Sequence, residues 1–210
     1  MITAVSFGVL CFSSLLTVID PLAVAPVFAS ITRGQAAPLA RRLALRACFV
    51  ALAVLVVFAV GGAFLFKLFG ITIDAFRIAG GIVFVLLGLP MLTGSHEEKH
   101  AAGSSDDPAV VPLGVPLISG PGAITTTMIL MGQSSSAFHT TAFFVALLLV
   151  LCVTFVVLAL SPVILGRVGP SGLTLVTKIM GLIVLVIGVQ LVVDGARPII
   201  VDMLRSAAVR

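Results

Sequence analysis

The sequence contains no tryptophan and no tyrosine, and only 10% of its 210 residues are charged. The first absence removes the side chains that usually anchor helices at a membrane surface. The second excludes an ordinary soluble domain, in which about 25% of residues are charged. Cysteine is limited to Cys11, Cys48 and Cys152, each alone in an apolar segment, which excludes a disulfide framework or a cysteine metal site. Basic residues are few and scattered between apolar runs. The net charge of +4 therefore reads as a topology signal, and no nucleic-acid partner is expected. No basic residue precedes Arg33, so the first apolar run lacks the start of a cleavable secretory signal and is expected to stay as a membrane helix. Phosphate-loop, nucleophile-elbow and zinc-helix motifs are missing, so neither an enzyme nor a bound cofactor is expected.

What the chain does have is hydrocarbon: 60% hydrophobic residues and a mean hydropathy of +1.31. A soluble fold of this size could not bury that surface and still cover its exterior with polar groups. The expected fold is an all-α polytopic membrane protein, a single transmembrane domain over residues 1–210 with about six helices, partnered by the lipid bilayer. The spans fall at residues 2–31, 43–66, 75–92, 108–131, 141–160 and 175–193. The only long hydrophilic stretch, 93–107, is a solvated loop, and 197–210 is a short charged tail. The first span is too long for a straight crossing and is expected to break at Asp20-Pro21 or Pro26. The fourth carries Pro112, Gly114, Pro116, Gly120, Pro121 and Gly122, and is also expected to be broken.

Orientation follows from basic residues. If the first loop, with Arg33, Arg41, Arg42 and Arg46, is cytoplasmic, Lys99, Arg167 and Lys178 join it, while Lys67, Arg77, Arg197, Arg205 and Arg210 fall outside. Seven against five favours both termini on the outer side.

The two halves resemble each other. Arg77-Ile-Ala-Gly-Gly-Ile-Val-Phe-Val85 reads against Lys178-Ile-Met-Gly-Leu-Ile-Val-Leu-Val186, and Asp20-Pro21-Leu22 up to Pro26 against Val111-Pro112-Leu113 up to Pro116. The expected halves are residues 1–95 and 108–196. Three spans in each would make the second half run upside down, and such inverted repeats with interrupted helices recur among secondary transporters.

Asp20 is the one acidic residue deep in the first span, and a carboxylate at that depth costs about 2.5–3.5 kcal/mol. With Pro21 it forms a helix-start signal, so it either simply caps a half-helix or also binds H⁺, Na⁺ or an ammonium group. Ser119, Gly120, Pro121 and Gly122, followed by Thr125 and Thr126, mark a second helix start whose free N–H groups could hold a carboxylate, or else a packed kink. A zwitterion would use both junctions. Arg77 and Lys178 are expected to snorkel to the interface. Gln190 either bonds a neighbouring helix or lines a pathway. His96 and His100 lie i, i+4 in the polar loop and do not make a metal site.

At Asp20-Pro21-Leu22, Phe69-Gly70-Ile71, Ala75-Phe76-Arg77-Ile78-Ala79-Gly80-Gly81 and the run from Val111 through Pro121-Gly122-Ala123-Ile124-Thr125-Thr126, the chain resembles the MarC family of bacterial and archaeal inner-membrane proteins. The resemblance covers essentially the whole chain. It implies six helices, distant kinship with LysE-type exporters, and secondary transport of small neutral amino acids such as glycine or alanine, coupled to H⁺ or Na⁺. The family's first motif continues with Gly and Asn where this chain has Ala23 and Val24, so one polar amide is lost. The expected function is therefore an inner-membrane transporter of small neutral amino acids or similar metabolites. The alternative is a non-transporting scaffold, in which the small residues near Gly80-Gly81 and Gly181-Gly188 serve helix packing or a homo-oligomer.

Overall fold

A computed structural model describes residues 3–32, 34–93, 109–166 and 169–208, whose regular structure is entirely helical. In chain order the elements are α1 (Ala4–Ile19), α2 (Pro21–Ile31), α3 (Ala37–Phe69), α4 (Ile73–Thr93), α5 (Ala109–Ile118), α6 (Pro121–Gly132), α7 (Ala137–Gly166) and α8 (Gly169–Ala208). α5 is wound as a π-helix and contains a cis peptide between Val115 and Pro116.

The first apolar run breaks once, at Asp20, where α1 and α2 bend by 41°. Pro26 stays inside α2 without ending it. Its ring opposes the carbonyl of Leu22 in the first turn, where the helix has most room to open. The fourth run is likewise divided, with Ser119 and Gly120 between α5 and α6.

Other boundaries run past the expected spans. α3 begins at Ala37 rather than near residue 43, so Arg41, Arg42 and Arg46 lie on a helix instead of in a loop. Pro38 is pre-set for the first turn, and arginine is a good helix former. At 33 residues α3 reaches about 50 Å, beyond a hydrocarbon core of about 30 Å, so its basic turns project into water. α8 continues through the charged tail to Ala208.

Four helices (α3, α4, α7, α8) are long and apolar enough to cross a membrane, and the bent pair α1–α2 brings the number to five where it forms one broken span rather than a re-entrant loop. Six spans were expected. The difference is the α5–α6 region, divided into elements of 10 and 12 residues. Almost all of the polar loop, with His96, His100 and Lys99, lies outside the described residues, as do Arg33, Arg167 and Arg210.

Elements recur at a fixed spacing. Pro21 opens α2 and Pro121 opens α6; Ala37 opens α3 and Ala137 opens α7, each pair a hundred residues apart. Packing follows the same spacing. α1 packs on α7 as α5 packs on α3, and α2 packs on α8 as α6 packs on α4. The breaks therefore match Pro21 to Pro121, not to Pro112 as the sequence pattern suggested.

α4 and α8 run antiparallel along a ladder of glycines. A Cβ on Gly88 would lie 2.8 Å from the Gly181 carbonyl oxygen, and one on Gly188 would lie 2.7 Å from that of Gly81. Only hydrogen fits at such positions, so the two backbones come close enough to gain dispersion and Cα–H···O contacts. Of the expected Gly80-Gly81 pair, Gly81 faces Gly188 of α8, while Gly80 lies against Pro121 of α6.

The core lies between α1, α2, α3 and α7, with α5 and α6 adding Leu113, Ile118 and Ile124. Leu15, Ile19, Phe28, Leu55, Phe143 and Leu147 are fully buried there. Large apolar side chains such as Val60, Phe64 and Phe138 face outward, as lipid-facing positions should.

Candidate functional site

Asp20 sits between two helices and belongs to both. Its N–H donates to the Leu16 carbonyl at 3.0 Å, closing α1, while its side-chain oxygen accepts from the Ala23 N–H at 3.3 Å, starting α2. Its backbone is left-handed, with φ 42°, the only positive φ at a non-glycine residue among those described. Aspartate tolerates this conformation better than most residues because its short polar side chain bonds locally. Pro21 supplies the first helical position at no cost, since the N–H it lacks would have been an orphan. Asp20 therefore caps, as the sequence indicated, and it remains half-buried.

The corresponding junction is built differently. Gly120 precedes α6 and Pro121 again opens the helix, but no side chain caps this N-terminus. Its first-turn amides keep their donor capacity, and the helix dipole adds partial positive charge. Ser119 is buried and donates to the Gly114 carbonyl at 2.7 Å, tying the end of α5. Thr125 turns back to the Pro121 carbonyl at 2.9 Å.

α4 supports this junction from outside. Gly80 lies flat against the Pro121 ring, and the Phe84 ring fills the place a Cβ on Gly120 would need, at 2.9 Å. Neither Gly80 nor Phe84 was marked by the sequence as part of the site.

The two junctions are neighbours. A Cβ on Gly122 would come within 3.1 Å of Val18 Cγ1, two residues from each break. Beside this contact an open groove of about 580 Å³ runs between α1 and α6. Ser13, Ser14 and Thr17 line it from α1; Thr126 and Gln133 line it from α6, among apolar neighbours that include Val18. Asp20 and Thr125 are not in the lining. Thr17 donates to the Ser13 carbonyl at 2.8 Å and Ser13 to the Leu10 carbonyl at 3.1 Å. Their protons are committed to the backbone, so both present lone pairs to the groove and suit a ligand that donates hydrogen bonds.

One group nearby is unpaid. Thr127 on α6 is completely buried and its hydroxyl has no hydrogen-bond partner. Leaving it so costs about 1–3 kcal/mol. Elsewhere, buried Thr154 and Ser161 satisfy themselves on the Val150 and Leu158 carbonyls.

The second-tier residues stand apart. Arg77 pairs with Asp74 at 3.6 Å in the first turns of α4, about a third exposed. Gln190 donates to Asp194 at 2.8 Å along the exposed face of α8, so it neither bridges to another helix nor lines the groove. The hydroxyl face of α1 went unread in the sequence. Its signal was three hydroxyl residues, Ser13, Ser14 and Thr17, close together in the second half of a helix whose one other hydroxyl is Ser6.

Comparison with known proteins bears on the whole chain. The family model described as MarC family integral membrane protein matches residues 5–200. A UPF0056 membrane protein of Methanocaldococcus jannaschii is 36% identical over 197 residues, spanning 91% of this chain and 96% of the relative. One of Aquifex aeolicus is 36% identical over 201 residues, spanning 91% and 94%. The UPF0056 membrane protein YhcE of Escherichia coli is 31% identical over 200 residues, spanning 92% and 93%. No solved structure matches.

Proposed function

The chain belongs to the MarC family of integral membrane proteins, and we propose that it is an inner-membrane secondary transporter of small neutral amino acids or similar small metabolites, coupled to H⁺ or Na⁺. The observation that carries this reading is the meeting of the two helix breaks, Gly122 against Val18, beside a hydroxyl-lined groove. A carboxylate on one junction and an uncapped helix start on the other offer opposite charge preferences within one region. Lone pairs of Ser13 and Thr17 suit an ammonium group on its way to Asp20. The α6 start, with Gly120, Pro121 and Gly122, suits a carboxylate.

The spacing of one hundred residues and the antiparallel run of α4 against α8 support two inverted halves. In that arrangement transport proceeds by rocking one half against the other around a fixed central site.

The test is uptake and efflux of labelled glycine and alanine in proteoliposomes, for the wild type and Asp20→Asn. Asparagine keeps a capping oxygen but removes the charge. Transport that depends on a proton or Na⁺ gradient, and that loses this dependence in Asp20→Asn, is the expected result. Robust transport that the substitution leaves unchanged would remove Asp20 from the mechanism. A non-transporting scaffold is the second reading, favoured by the glycine ladder, which needs no ligand to explain it. It predicts no flux of any labelled amino acid in the same vesicles.

A further inference from the structure

The groove between α1 and α6 has a counterpart, one hundred residues on, between α5 and α2. The two are in opposite states. Val18 is 41% exposed and Ile118 0%; Ile129 is 41% exposed and Ala29 4%. Ser13 and Thr17 are exposed, whereas Leu113 and Leu117 are buried. At these four pairs of positions the backbone is open in one half and shut in the other, whereas Leu130, buried, and Ser30, half-buried, do not follow the pattern.

We infer that a second groove, lined by Leu113, Leu117, Ile118 and Ala29 with Ser30, opens between α2 and α5 when the α1–α6 groove closes, giving cargo its access from the opposite face. This rests on the transporter reading and deepens it by assigning the far vestibule.

The symmetry of the packing is the physical ground. Gly81 faces Gly188 and Gly88 faces Gly181. Moving by one hundred residues turns each of these pairs into the other, so the α4–α8 ladder is unchanged when the halves exchange roles. It can serve as the axis about which the two halves rock, with α1, α2, α5 and α6 exchanging positions around it. Because both halves share one order of elements, the exchanged state uses helix packings already realised in this molecule, with the π-wound α5 in the place of α1. Side chains then decide the balance between the two. Where α1 presents Ser13 and Thr17 to the open groove, α5 has Leu113 and Leu117, so the state seen here leaves these hydroxyls accessible and hides the matching leucines. A ligand that binds the other state more tightly shifts the population toward it.

The test is thiol accessibility in sealed proteoliposomes, in a protein whose Cys11, Cys48 and Cys152 are replaced by alanine. Single cysteines are placed at Thr17, at Ala29 and at Leu117, with Ala51→Cys as a buried control on α3 that lies in neither groove. Ala29→Cys is nearly isosteric and should fold even if Leu117→Cys does not. A membrane-impermeant maleimide is applied to one face and then the other. Thr17→Cys is expected to react from one face. Ala29→Cys and Leu117→Cys should react, about tenfold more slowly for a minor state, only from the opposite face. Ala51→Cys stays silent.

If Ala29→Cys and Leu117→Cys are as silent as Ala51→Cys from both faces, with glycine and alanine present, the second groove does not exist. Reaction from the same face as Thr17→Cys equally overturns it. Opposite-face labelling without amino acid flux would support the second groove and sink the proposed substrate instead.

Discussion

Gly81→Ala adds a single methyl group at one of the tightest points of the α4–α8 contact. That methyl would lie 2.5 Å from the Gly188 carbonyl oxygen, 2.8 Å from Val192 Cγ2 and 2.9 Å from the Val192 nitrogen. Two of these three atoms are backbone, so no rotamer change relieves the clash, and the helices must part by roughly 0.5–1 Å to restore ordinary contact distances of about 3.5 Å. Overpacking of this kind costs about 1–3 kcal/mol. At about 2–4 °C per kcal/mol for a chain of this size, a 2 kcal/mol loss lowers the melting temperature by about 4–8 °C. Gly61→Ala is the control, because nothing lies within 4 Å of its added methyl. It relieves the helix penalty of glycine and should gain up to about 0.5–1 kcal/mol. The chain has no tryptophan or tyrosine, so unfolding is best followed with a thiol-reactive dye. Cys11 and Cys48 are buried and react on melting, while exposed Cys152 gives the baseline. Gly188→Ala should act similarly, and the double variant should cost less than the sum, since both methyls force the same separation. If Gly81→Ala melts with the wild type, or Gly61→Ala falls as far, the close-packed ladder is not what holds α4 to α8.

Three further outcomes are expected in the same melting assay. Asp20→Ala loses the bond from the Ala23 N–H and must hold φ 42° with an unsuited side chain, a loss of about 1–2 kcal/mol, whereas Asp20→Asn should stay within a few tenths. Thr127→Val replaces a buried hydroxyl that has no partner by a methyl of similar shape, and should raise stability by about 1 kcal/mol; a fall of that size would mean the hydroxyl serves a bound group. Gly120→Ala meets the Pro116 carbonyl and the Phe84 ring, while Gly122→Ala meets only the Val18 side chain at 3.1 Å. The first should therefore cost about 1–3 kcal/mol and the second clearly less.

The sequence made the helical membrane class and both breaks legible, because apolar runs and Asp-Pro or Gly-Pro pairs act locally. Asp20 as a cap followed from two adjacent residues. The length of α3 and α8 did not follow. Charges such as Arg41 and Arg197 mark where a helix leaves hydrocarbon, not where it stops being a helix. The spacing of one hundred was also hidden, because Pro112 and Pro116 imitate the Pro21 and Pro26 pattern closely enough to draw the alignment away from Pro121. Gly80 and Phe84 as supports for the α6 start, and the approach of Gly122 to Val18, are contacts between distant segments. No local pattern encodes them. The hydroxyl turn at Ser13, Ser14 and Thr17 was visible, but serine and threonine so often bond their own helix that it carried little weight until the groove gave it a surface.

On the two-half reading, similarity and difference do separate work. Shared topology puts a proline-started helix at Pro21 and at Pro121 and brings the two starts together. Divergence then equips them unequally: a carboxylate at position 20 and only hydrogen at position 120, hydroxyls at 13 and 17 and leucines at 113 and 117. Two acidic junctions side by side would repel, and two bare ones would offer nothing to a cation. Two hydroxyl-lined grooves would leave hydroxyls to be buried in whichever half was closed, satisfied there only by bonds to their own helix such as those of Ser13 and Thr17. The unequal pair avoids the repulsion and confines hydroxyl burial to the state in which the α1–α6 groove is closed. It also gives the protein a preferred resting state, the one with the polar groove open, which a ligand can shift only by binding the other state more tightly.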